Sequence, residues 1–217
     1  MPSTQARSPL ALLAAPLVAA TVVAGVWLAG GVVSDDFRAS MALTAGWLAV
    51  SGTACVLVAR RSRPLRVPVL AAFLLTALAV GTYLAATTLR DRVVHERVLT
   101  VVPADLQARG RFRSHEHATA GTASVVRAPD GRRVLTLTSF STSPGPDLRV
   151  RLVQGDSFDG GTDGAVDLGG LKGNRGDQQY TLPSGVDPTA HTVVIWCRAF
   201  SAAFGSAMLN AVTRGAG

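Results

Sequence analysis

The chain has 217 residues, 48% hydrophobic and only 16% charged, with 21 Lys and Arg against 14 Asp and Glu for a net +7. Soluble domains are about a quarter charged, and here the deficit is local: residues 8–89 hold seven charged side chains, all lying between apolar runs. This composition excludes a purely soluble protein, a disordered chain and a disulfide scaffold. Nine Arg against four acids in residues 1–103, and twelve basic against ten acidic residues in 104–217, place the basic excess beside the apolar runs, so it is no nucleic-acid footprint.

Three uncharged runs come first. A helix needs ~20 apolar residues to cross hydrocarbon, and residues 10–33, 39–59 and 67–89 each suffice. Trp27, Trp47 and Tyr83 sit a few residues inside the ends, where amphipathic rings meet the interface. Pro16 is tolerable in a membrane helix, because neighbouring groups re-satisfy the freed backbone. The first run is too long for a secretory signal core, and only Arg7 precedes it, so it reads as an uncleaved helix. The second loop, 60–66, carries Arg60, Arg61, Arg63 and Arg66, whereas the first carries Asp35, Asp36 and Arg38. By the positive-inside rule, residues 1–8 and 60–66 are cytoplasmic. The expectation is a multi-pass plasma-membrane protein with everything after Leu89 extracytoplasmic. Arg90, Arg92 and Arg97 run against that rule.

Residues 90–109 read as a stalk. Its first half can continue the third helix until Pro103 ends it, and a solvated spacer is the plainer reading.

From residue 110 the period becomes two. Leu148-Arg149-Val150-Arg151-Leu152 alternates strictly, and so does Val134 to Ser139. Ala128-Pro129-Asp130-Gly131 is turn chemistry, so residues 122–127 and 133–139 should form a hairpin. Further strands are expected at 165–168, 178–182, 191–199 and near 208–212. The fold class is therefore a three-helix transmembrane N-terminal region, residues 1–89, plus an all-β sandwich or barrel over 110–213.

Few residues invite chemistry. Cys55 lies inside the second span. Cys197 lies on the strand Val193-Val194-Ile195-Trp196-Cys197-Arg198, and an oxidising compartment offers it no disulfide partner in its own domain. It is a redox or ligand candidate. The competing reading is an inert core thiol, because alternation puts it with Val193 and Ile195. His115-Glu116-His117 sets two imidazoles at i, i+2, on one face of a strand and near enough to share a metal or approach a haem. Arg111 and Arg113 on the same face oppose a cation, and a polar edge strand explains the pair as well. Asp156, Asp159, Asp163 and Asp167 fit no calcium loop, and the glycine-rich stretch 169–176 lacks the ending of a phosphate loop. No metal site is expected.

Residues 110–209 resemble the DM-thirteen domain family. The matching stretches are His117-Ala118-Thr119-Ala120-Gly121, Phe140 with Gly145-Pro146-Asp147-Leu148-Arg149-Val150, Leu168 to Gly173, and Gly176 to Pro183. The most specific are Val194-Ile195-Trp196-Cys197-Arg198-Ala199-Phe200 and Phe204-Gly205-Ser206-Ala207. The family occurs in Skeletor-type animal proteins, often beside DOMON and b-type cytochrome modules, and as single copies in bacteria. The resemblance implies a β-rich extracytoplasmic domain with an electron-transfer role centred on Cys197, as a thiol or as a ligand to a prosthetic group such as haem. It implies His117 as the cofactor-binding or proton-handling partner. Residues 1–89 contain no His, so no haem-binding bundle is expected there. The electron partner is then a separate protein or a quinone. The alternative is a non-catalytic cell-envelope binding or structural module.

Overall fold

A computed structural model of the chain describes residues 9–31, 33, 37–99, 102 and 105–212. Arg7, Asp35, Asp36 and Pro103, on which parts of the sequence reading rest, lie outside the described residues.

Residues up to 86 fall in one compact unit, and the described residues from 87 onward, apart from 199–201, form a second. The first unit is built from α1 (Pro9–Gly31), α2 (Phe37–Arg61) and α3 (Arg63–Leu89). All three are long and apolar enough to cross a membrane, with mean hydropathies of 1.9, 1.8 and 2.1 over their spans. Their large apolar side chains point outward. Leu17 and Leu75 are 68% and 67% exposed, the inverse of a soluble helix bundle. Two hydroxyls of α2 bond within their own helix: Ser51 donates to Trp47 O at 2.7 Å and Thr53 to Ala49 O at 2.8 Å. The Trp47 indole lies across Gly25 of α1, a position where a side chain would collide with it.

The arginine-rich loop contracts to a single residue. Ser62 alone separates α2 from α3, donating its N–H to Val58 O at 3.0 Å and accepting from Leu65 N at 3.1 Å. Arg60 and Arg61 thus occupy the last turn of α2, where a cation complements the carbonyl end of the helix dipole.

The second unit has eleven strands among the described residues. They are β1 (Val93–His95), β2 (Leu106–Arg111), β3 (Arg113–Ser114), β4 (Thr119–Arg127), β5 (Arg133–Thr142), β6 (Leu148–Gln154), β7 (Val166–Gly170), β8 (Arg175–Thr181), β9 (His191–Cys197), β10 (Ala202–Met208) and β11 (Asn210–Ala211). One sheet runs β1-β8-β5-β4-β2-β11 and the other β3-β10-β9-β6-β7. The sandwich-or-barrel expectation therefore resolves to two sheets, each with edge strands. Every pairing is antiparallel except β1 with β8.

The β4–β5 hairpin forms where expected. Gly131 N donates to Ala128 O at 2.8 Å, Asp130 accepts from Arg132 N at 3.0 Å, and Val126 pairs with Val134. Leu135, Leu137, Val150, Leu152, Val193 and Ile195 are fully buried. The opposite face of β9 is also covered: Val194 and Trp196 cluster with Val153 and Ala203, and Phe158 and Ala165 pack on them. That double cover explains why residues 193–197 read as a continuous apolar run.

Two departures from the sequence reading matter. The expected last strand near 208–212 begins earlier, as β10 at Ala202, and β11 adds only two residues. Residues 202–207 are all buried, so no polar face marks them as a strand. Secondly, α3 stops at Leu89 and does not run on toward Pro103, because the backbone after it is drawn into a sheet. Val93–His95 pairs with Arg175–Asp177, and Glu96 N continues the ladder to Asp177 O at 2.9 Å. The segment 90–109 thus contains β1 and most of β2.

Candidate functional site

Cys197 is the last residue of β9. Its register partners are Leu148 on β6 and Ala202 on β10, and it is 0% exposed. Neither Cys55 nor Cys197 is in a disulfide. The next residue leaves the sheet and is fastened at once. Arg198 N donates to Asp147 O at 3.0 Å, and Arg198 Nε donates to Asp147 Oδ2 at 2.7 Å. Asp147 also faces the Arg149 guanidinium at 4.0 Å. The Gly145-Pro146-Asp147 turn is thereby latched beside the end of β9.

β10 carries the second half of the site. Its register jumps between Ala203 and Gly205, leaving Phe204 as the extra residue of a bulge. Phe204 is 2% exposed, and its ring centroid lies 3.9 Å from that of His117. A Cβ on Gly145 would meet the Phe204 ring at 3.0 Å and Leu148 at 2.9 Å, so this glycine lets the turn close over both side chains. Thr119 ties the arrangement together. Its hydroxyl lies 3.0 Å from Phe204 O, 3.2 Å from His117 O and 2.8 Å from the Thr142 hydroxyl. Gly205 leaves room for it, since a Cβ there would sit 2.5 Å from Thr119 Cβ.

His117 is half-buried in the turn between β3 and β4. Burial pushes its pKa below the ordinary imidazole value, and the nearby Glu116 carboxylate offsets only part of that. Burial thus favours the uncharged imidazole. The two sequence-predicted residues belong to one end of the second sheet. Cys197 pairs with Ala202, and two residues along the same strand Phe204 stacks on His117.

His115 and His117 do not share a strand face, as their i, i+2 spacing suggested, because β3 ends at Ser114 and the chain bends. His115 Nε2 lies 2.8 Å from the Ser206 hydroxyl, and its ring packs against Phe158 at 5.3 Å. Among the described residues no group of three His, Cys, Asp or Glu side chains could hold a metal ion. Asp167 pairs with Arg149 at 2.7 Å, whereas Asp156, Asp159 and Asp163 are exposed. A haem at Cys197 needs a thiolate facing a porphyrin-sized space. Cys197 is instead fully enclosed at the end of β9, and the clefts beside residues 99–181 and 87–174 include neither Cys197 nor His117 among their walls. These residues do not fit that group.

Sequence reasoning missed the Asp147 latch and the Phe204 stack. The motifs Gly145-Pro146-Asp147 and Phe204-Gly205 carried them, but only the register of β9 and β10 brings the two together.

The fold and this site define a two-sheet β domain with an enclosed thiol and a half-buried histidine at one end, preceded by three apolar helices. Residues 111–209 match the family model described as Electron transfer DM13. The match covers the β domain from the end of β2 through β10, and none of the helices. No match is found among curated proteins or solved structures.

Proposed function

We propose that this chain is a membrane-anchored redox module. The observation that carries the reading is the match of the β domain to an electron-transfer family. The three helices anchor the domain in the plasma membrane with residues 1–8 and 60–66 cytoplasmic, and the β domain works on the extracytoplasmic side. Cys197 is the redox group. Its oxidation gives up one electron and the thiol proton. The electron passes to a separate electron-transfer protein or a membrane quinone, and His117, the family's histidine, is the base we assign to the proton.

The complete burial of Cys197 favours a second reading, a non-catalytic envelope-binding or structural module in which the thiol only packs. Redox titration of the full-length protein beside Cys197→Ala separates the two. A redox wave present in the wild type and absent from a folded Cys197→Ala supports the first. A wild type with no wave and a thiol that labels only after unfolding supports the second. For sidedness, an alkaline phosphatase fusion after Gly217 is expected to be active, and an inactive fusion reverses the orientation.

A further inference from the structure

The arginines that follow α3 stand on the side where the positive-inside rule expects few, and two of them, Arg90 and Arg92, line a cleft of about 420 Å³ in the β domain. The cleft lies within the size range of small-ligand sites, ~300–1,000 Å³. Arg90 and Arg92 form its charged wall, and Pro144, Pro146, Leu148 and Leu171 its apolar one.

The carboxylates at the cleft are already engaged. Asp91 Oδ2 accepts from Arg175 Nε at 3.1 Å, and its Oδ1 accepts from Asn174 Nδ2 at 2.8 Å. Asp147 is held by Arg198 at 2.7 Å. Among the described residues no ion pair involves the Arg90 or Arg92 guanidinium, and both residues are exposed. The cleft is thus lined by two exposed arginines with no ion-pair partner among the described residues, and a guanidinium is suited to bidentate contact with phosphate oxygens. Arg90 directly follows Leu89, the last residue of α3. One peptide step is ~3.8 Å between Cα atoms, so the charged wall begins where the span ends.

We propose that this cleft binds the phosphodiester headgroup of an anionic phospholipid, with Arg90 and Arg92 on the phosphate and the proline and leucine wall against the glycerol. The inference rests on the membrane-anchor reading. It also gives Arg90 and Arg92 a reason to stand against the rule: the two arginines nearest the span meet lipid phosphate.

The test uses the full-length protein in neutral detergent, titrated with phosphatidylglycerol or phosphatidylcholine, with retained lipids counted by native mass spectrometry. Phosphatidylglycerol is expected to be retained preferentially, and R90Q/R92Q to weaken it roughly ten- to thirtyfold, at about 1 kcal/mol per charge. R132Q, on the β4–β5 turn, is expected to change nothing. If the double variant unfolds by near-ultraviolet circular dichroism, R90Q and R92Q alone carry the test, each losing roughly fivefold. Equal retention of the two lipids, or retention unaffected by the arginine variants, overturns the proposal. Inorganic phosphate bound as tightly as the lipid assigns the cleft to a free anion and also overturns it. Alkaline carbonate extraction of membranes keeps the two readings apart. Protein that stays in the membrane without a phosphatidylglycerol preference refutes the headgroup site alone, whereas protein released by carbonate refutes the anchor.

Discussion

The sulfur of Cys197 occupies a core position, and substitutions there report on packing as well as chemistry. Cys197→Ala removes one buried atom and is expected to cost about 1–2 kcal/mol. Cys197→Ser adds a hydroxyl to an apolar enclosure and is expected to cost ~1–3 kcal/mol more. Urea unfolding of the two variants side by side measures the difference, and equal stabilities would show that the serine finds a partner. Asn174, 4% exposed, accepts from Arg92 N at 2.6 Å and donates to Asp91 at 2.8 Å and to Thr142 O at 3.0 Å. Asn174→Ala leaves a buried carbonyl and an amide unmatched, and a loss of about 2–4 kcal/mol is expected in the same assay. Glu96 gives a pH signature. Burial alone would raise its pKa, but bonds from Lys172 Nζ at 2.7 Å and Gln179 N at 2.9 Å outweigh burial and hold it below the ordinary glutamate value of 4.5. The folded state therefore binds this proton more weakly than the unfolded chain. The stabilisation is complete above pH 4.5 and disappears as pH falls through the lower, folded value. The stability difference between wild type and Glu96→Gln should be flat at neutral pH and shrink below 4.5, and a difference independent of pH would rule the linkage out.

Strand β1 shows what a sequence conceals. Val93-Val94-His95 is too short to display a period, and polar residues surround it, so its place in a sheet is set by tertiary pairing alone. The signal lay in its partner. Gly176 on β8 has φ +99°, and a Cβ there would collide with Val94 O. Gly176→Ala is expected to displace β1 and to abolish hydrogen-exchange protection of the Glu96 amide while leaving the β4–β5 amides protected. Uniform protection in that variant would show that β1 tolerates the side chain. Where one face of a strand is wet, as on β6, alternation in the sequence located the element. Where both faces are covered, as on β10, it could not. The three helices were legible because a continuous apolar run needs no pairing partner. The site was half legible: Cys197 and His117 stood out as residue types, whereas the bulge that stacks Phe204 on His117 depends on a register no local pattern encodes.

At the scale of the whole molecule, the β unit begins before its family match does. The match starts at residue 111, but β1 and most of β2 lie upstream and pair with β8 and β4. A fragment of residues 90–212 is therefore expected to fold with β-type circular dichroism and to unfold at a clearly higher temperature than residues 110–212. Equal melting temperatures would make the upstream strands dispensable. The same pairing leaves very little leash. Only Arg90, Asp91 and Arg92 separate the last residue of α3 from the first of β1, and three extended residues reach at most ~11 Å. A domain on a flexible linker of thirty residues would search a radius of ~30 Å, whereas three residues give the attachment point of this one roughly a third of that reach. If the chain is anchored as proposed, its partner must do the travelling. A quinone moving in the bilayer or a protein docking at the membrane surface can meet it, and encounter rates should follow the partner's diffusion and concentration, not any swing of the domain itself.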